Sequence, residues 1–148
     1  MEGSSSARVL VVAHKTAATP ALIDAVRERA QRGPAAFHLL VPNPHEAEFH
    51  PIHPERHNLQ AGEQVLALAL PLLDEAAGGQ VEGSVSIRHD PMDAIEELLQ
   101  REDFDEIIVS TLPHRVSHWL HIDLPSRVGH LGLPVTTVIA EGRAEPAV

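Results

Sequence analysis

Short apolar runs alternate with amphipathic stretches along this chain. Arg8-Val9-Leu10-Val11-Val12-Ala13 is continuous in apolar residues, as in a strand covered on both faces. After the loop His14-Lys15-Thr16-Ala17-Ala18, Thr19 and Pro20 read as the N-cap and first residue of a helix. Leu22, Ile23 and Val26 mark its inner side, Arg27, Glu28 and Arg29 its outer side, and Gly33-Pro34 its end. Ala36 to Val41 is a second strand. Pro42 to Pro54, rich in proline and histidine, cannot form a regular helix. A long helix is predicted from near Leu59 to Ala77, with a core stripe of Val65, Leu66, Leu68, Ala69, Leu72 and Leu73, a bend at Pro71 and a stop at Gly78-Gly79.

Val81 to Ile87 alternates apolar and polar residues, a third strand. Asp90-Pro91 repeats the cap-then-proline start, and the helix it opens should bury Ile95, Leu98 and Leu99. Phe104 to Val109 is the fourth strand, Asp123 to Leu131 a helix, and Pro134 to Ile139 the fifth strand. Strand-helix alternation of this kind implies a parallel sheet with helices on both faces. With no repeat and no linker, residues 8–140 read as one α/β domain, and 1–7 and 141–148 as disordered tails. Such sheets bind ligands at the carboxyl ends of their strands, where strand order reverses. That places the candidate site in the loops after the first and fourth strands: His14-Lys15-Thr16 and Ser110 to Asp123.

Composition narrows the function. A chain of 148 residues, 43% hydrophobic, suits one domain with a real core. A formal charge of −10 with no basic tract argues against nucleic-acid binding. Cysteine is absent, which excludes disulfides, thiolate catalysis and cysteine zinc sites. No apolar run is long enough to span a bilayer, and "MEGSSSAR" lacks a signal-peptide core, so the expected place is the cytoplasm with no membrane partner. The 11 histidines exceed what a core needs.

Several groups have the residue types of a site. His14-Lys15-Thr16 is a ligand loop or a polar connection. Ser110 and Thr111 offer hydroxyls to a ligand or satisfy backbone at the strand end. His114, His118 and His121 share one face if their stretch is helical, yet no carboxylate completes a metal pattern, and a solvated loop fits better. His45, His50, His53 and His57 lie among Glu46, Glu48 and Glu55, a set suited to adventitious zinc or nickel. Trp119, the sole tryptophan, reads as core beside Leu120, Ile122 and Leu124. Arg127 can pair with Asp123 one turn back. Ser110 has no G-x-S-x-G context, and His14, Ser110 and Asp123 hold triad residue types without a known geometry, so no catalytic residue and no metal is assigned.

"VLVVAHKT" at the first strand, "HDPMDAIEELLQREDFDEIIVST" across the third helix and fourth strand, and "RVGHLGLPVTTVI" at the end together resemble the universal stress protein family over residues 8 to 140. The resemblance implies a five-stranded parallel sheet of order 3-2-1-4-5 and usually a homodimer. It also implies ATP binding through G-x2-G-x9-G-[ST] after the fourth strand, helped by an aspartate after the first. Here the aspartate position reads His14, the glycine positions Ser110, Pro113 and Asp123, and the hydroxyl position Leu124. Proline lacks an N–H donor, and a carboxylate opposes a phosphate. ATP is therefore not expected in the usual mode, and the cofactor is left unassigned. A small anionic ligand is expected instead. The candidate binding residues are His14, Lys15, Thr16, Val41, Ser110, Thr111, Pro113, His114, Arg115, Asp123 and Arg127. The expected function is a ligand-binding or regulatory module. The alternatives are a hydrolase or transferase using the His14/Ser110 crevice, or a structural dimer module with a vestigial pocket. Dimerisation is expected through the fifth strand, apolar, β-branched and at a sheet edge.

Overall fold

A computed structural model of the chain describes residues 6–14, 16–42, 54–88, 90–113 and 118–140; at 54–59, 118 and 121 it describes the backbone only. Five parallel strands form one sheet in the order β3-β2-β1-β4-β5, with β1 at Ala7–Val12, β2 at Ala35–Val41, β3 at Glu82–Val85, β4 at Glu106–Thr111 and β5 at Val135–Ile139. Among the described residues five helices accompany them: α1 Pro20–Arg32, α2 Pro54–Ala77, α3 Pro91–Arg101, α4 His118–His121 and α5 Leu124–Gly129.

Strand side chains alternate between faces, so each apolar strand feeds two cores. Val9, Val11, Phe37, Leu39, Val41 and Ile108 pack under α1 and α2 against Leu22, Val26, Ala69, Leu73 and Ala76. Leu10, Val12, Leu40, Ile107 and Val109 pack under α3 and α5 against Met92, Ile95, Leu98, Leu124 and Val128. Trp119 is half-buried against this second core, as expected of a core tryptophan.

The cap-then-proline starts of α1 and α3 are present. Asp90 Oδ1 accepts from the Met92 amide at 2.9 Å and caps α3 through its side chain. Thr19 makes no side-chain cap; its hydroxyl donates to the Thr16 carbonyl at 2.8 Å. Gly78, at φ 76°, ends α2 in the left-handed conformation that glycine adopts freely. Asp74 secures that end, its carbonyl accepting from Gly78 and Gly79 and its carboxylate from the Val81 amide at 2.7 Å.

Several expectations need correction. β3, expected from Val81 to Ile87, spans Glu82–Val85, and β4, expected from Phe104, starts at Glu106. α2 begins at Pro54 rather than near Leu59, because proline in a first turn needs no amide partner. Leu68 and Leu72 are 70% and 41% exposed; of the expected stripe Ala69 and Leu73 are buried, and Ala76 joins them at i, i+4 and i+7. β4 runs on to Thr111, because Ser110 and Thr111 pair with Val138 and Ile139 of β5, so both lie inside the strand and not in the loop after it. The helix expected from Asp123 to Leu131 is shorter, Leu124–Gly129, and α4 precedes it. The histidine-rich segment lies outside the described residues, apart from the helix backbone from residue 54 onward.

Candidate functional site

The carboxyl ends of β1 and β4 are neighbours, since Val12 pairs with Val109. The loop leaving β1 turns tightly: the His14 carbonyl accepts from the Ala17 amide at 3.2 Å, and the Thr16 carbonyl from the Thr19 amide at 3.1 Å. The turn brings the Thr16 hydroxyl to 2.6 Å from the Ser110 hydroxyl, with both residues buried. A hydroxyl pair sealed from water is therefore the fastener between the β1–α1 loop and β4.

Alternation along β4 sends Ser110 to the α1 face with Ile108, and Thr111 to the α3–α5 face with Ile107 and Val109. Thr111 is 2% exposed, and its hydroxyl has no hydrogen-bond partner among the described residues. A buried hydroxyl left so forfeits about 1–3 kcal/mol. Its backbone carbonyl accepts from the Ala140 amide at 2.8 Å, closing the carboxyl end of the sheet.

The other candidates fall in several places. His14 is half-buried at the mouth of the loop, and Pro113 half-buried after β4. Val41 is fully buried on the α1–α2 face, at the carboxyl end of β2. Lys15, His114 and Arg115 lie outside the described residues, as does the side chain of His118. Asp123 is exposed at the start of α5 with φ 60° and ψ 40°, and its side chain makes no cap. A left-handed backbone is natural for glycine and uncommon for a residue with a Cβ, so Asp123 sits in a conformation that glycine would adopt more freely. Arg127 reaches Asp90 Oδ2 at 3.5 Å, tying α5 to the cap of α3 in place of the expected pair with Asp123.

A second polar feature lies under the edge strand β3. His38, Ser84, Ser86, Glu97, Arg101 and Glu102 line a cavity of about 310 Å³ between β2, β3 and α3. His38 interrupts the apolar run "AAFHLLV", a signal that strand periodicity alone passes over. Beside it, Arg8 donates to Glu102 Oε1 at 2.8 Å, and this bond holds the Glu102 carboxyl below the usual carboxylate range.

No protein-family model and no curated protein matches the chain. Solved structures do. A universal stress protein from Archaeoglobus fulgidus aligns with a TM-score of 0.62 at 14% identity, over 89% of this chain and 93% of that one. The universal stress protein from Archaeoglobus fulgidus in complex with dAMP gives 0.58 at 15% identity, over 90% and 98%. A universal stress protein in complex with cAMP gives 0.60 at 16% identity, over 93% and 100%. The chain therefore has the universal-stress-protein fold, with its sheet order and its helices on both faces. No helix among the described residues is long and apolar enough to cross a membrane.

Proposed function

We propose that this chain is a cytoplasmic, ligand-binding or regulatory module of the universal-stress-protein type, formed by residues 8–140 and acting in a stress response. It takes a small anionic ligand at the carboxyl ends of β1 and β4 and does not hold ATP in the family's usual mode. The observation that carries this reading is the Thr111 hydroxyl, buried at the sheet's carboxyl edge with no hydrogen-bond partner among the described residues. His14, half-buried at the mouth of the loop, is the described polar neighbour, and the sequence offers Lys15, His114, Arg115 and Arg127 as further candidate groups for an anion. Thr16 and Ser110 hold the loop in place, and Val41 forms the apolar floor. The solved dAMP and cAMP complexes support nucleotide-sized ligands for this fold. The phosphate-cradling glycines are replaced at Ser110, Pro113 and Asp123, and this argues against ATP.

Calorimetry with Mg-ATP, and separately with inorganic phosphate, tests the reading. Phosphate is expected to bind and Mg-ATP to give little heat. A low-micromolar constant for Mg-ATP, abolished by Lys15→Ala, would restore the usual nucleotide mode.

Assembly is part of the proposal. β5 is an edge strand, and Ile139 on it is 40% exposed, so a homodimer pairing β5 with its symmetry mate covers both. Light scattering at tens of micromolar, a range suited to weak interfaces, should show a dimer; a monomer would contradict it. A second reading, a dimer module with a vestigial pocket, draws support from Thr16 and Ser110 spending their hydroxyls on each other. It predicts no heat with either ligand.

A further inference from the structure

We infer that His38, Glu82 and Glu102 form a divalent-cation site that takes zinc in preference to magnesium or calcium, at the opposite end of the sheet from the Thr16–Ser110 contact. His38 and Glu82 are paired residues on β2 and β3, and strand alternation sets both on the α3 face. Glu102 follows the last residue of α3 and enters the same space. One ligand atom from each of the three residues lies within 4.8 Å of the others.

The histidine is prepared for a metal. Its side chain is only 8% exposed, and Nε2 lies 2.8 Å from Ser84 Oγ. Nδ1 is buried and makes no hydrogen bond among the described residues; Glu82 Oε1 is 3.5 Å away, too far for a good one. A proton on Nε2, donated to Ser84, leaves the Nδ1 lone pair facing the two carboxylates. A metal-binding imidazole is commonly oriented in this way, its other nitrogen donating to an outer group. Phe104 packs edge-on against the ring at 6.0 Å and fixes its plane.

The carboxylates complete the set. Arg8 engages Glu102 Oε1 at 2.8 Å while lying 4.7 Å over the Phe104 ring, so one oxygen of Glu102 is anchored and the second stays available. Glu82 is 69% exposed on an edge strand and is free to turn inward. Around a tetrahedral zinc the ligand atoms stand about 3.3 Å apart, a contraction that rotation of these two side chains provides. The carboxylates of Glu82, Glu97 and Glu102 set against Arg8 and Arg101 leave a net formal charge of −1 beside the imidazole. One nitrogen and two oxygens favour zinc over magnesium or calcium, which prefer all-oxygen shells. His38 and Glu102 both line the 310 Å³ cavity, where Ser86 and Arg101 also lie.

The test must separate this site from the histidines at 45–57. The full chain carrying His45→Gln, His50→Gln, His53→Gln and His57→Gln is titrated with zinc chloride alone. Calorimetry and NMR of the imidazole nitrogens provide the readout. One equivalent of zinc should shift His38 Nδ1, and Glu82→Gln should weaken that binding by about tenfold or more. Glu102→Gln should act the same way. If losing the Arg8 pair unfolds it, as circular dichroism would show, the exposed Glu82→Gln variant decides alone. A His38 Nδ1 resonance unmoved at saturating zinc, or zinc held by Glu82→Gln as tightly as by its parent, would overturn the site.

Discussion

The Thr16–Ser110 contact makes a quantitative prediction. Both residues are at most 2% exposed, and their hydroxyl oxygens are 2.6 Å apart. Ser110→Ala deletes one partner and strands the Thr16 hydroxyl in a dry site. That should cost about 1–3 kcal/mol, most of it the desolvation of the orphaned group. Thr16→Val keeps the shape, strands Ser110 and should cost a similar amount. The double variant removes both polar groups together and should cost less than either single change, because no orphan remains. The expected coupling energy is therefore at least about 1–3 kcal/mol, as for contacting residues. Urea denaturation of the four proteins measures it, and with an m-value near 1–3 kcal/mol per molar the single variants shift the midpoint readily. Additive effects, or a neutral Ser110→Ala, would mean that these hydroxyls face water or ligand, and the account of the loop as fastened to β4 would fail.

Other perturbations probe the rest of the fold. Asp123→Gly should stabilise the chain by about 0.5–1 kcal/mol, since φ 60° strains any residue with a Cβ and glycine repays part of that gain in unfolded-state entropy; a lower urea midpoint would contradict this. Gly62→Ala should destabilise despite alanine's helix preference, because its Cβ would stand 2.7 Å from Cγ1 of the stiff Val85 side chain. Overpacking costs of about 1–3 kcal/mol exceed a propensity gain near 1 kcal/mol, and a raised melting temperature would show that β3 yields. The Arg8 bond lowers the folded-state pKa of Glu102, so the pair stabilises above the unfolded carboxyl pKa and loses that contribution as pH falls through the folded value. Arg8→Gln should therefore raise the Glu102 pKa in a carboxyl NMR titration, and its stability deficit should shrink in acid. Both side chains are more than a third exposed, so the pair contributes no more than about 1 kcal/mol.

Much of the fold was legible because parallel strands covered on both faces leave uninterrupted apolar runs, and Thr19-Pro20 and Asp90-Pro91 mark helix starts by the chemistry of capping. The errors have local causes. Hydrophobicity alone cannot orient a helix rich in leucine: Leu68 and Leu72 are exposed, while the small Ala69 and Ala76 lie on the buried face. Ser110 and Thr111 look like loop residues, and only the partner strand β5 shows that their backbone is paired. That β1 and β4 are neighbours followed from topology, but the opposite facing of Ser110 and Thr111 required the strand register. His38 stayed hidden because a single polar residue hardly disturbs an apolar run, and its partners Ser84 and Glu102 are 46 and 64 residues away in sequence.

The central claim is that the carboxyl ends of β1 and β4 receive a small anion. Titration of the isotope-labelled protein with inorganic phosphate, followed by NMR at the His14 ring and the Thr111 methyl and amide, tests it most directly. The account predicts that these signals move together with one dissociation constant. Signals at His14 and Thr111 that stay fixed at saturating phosphate would contradict it.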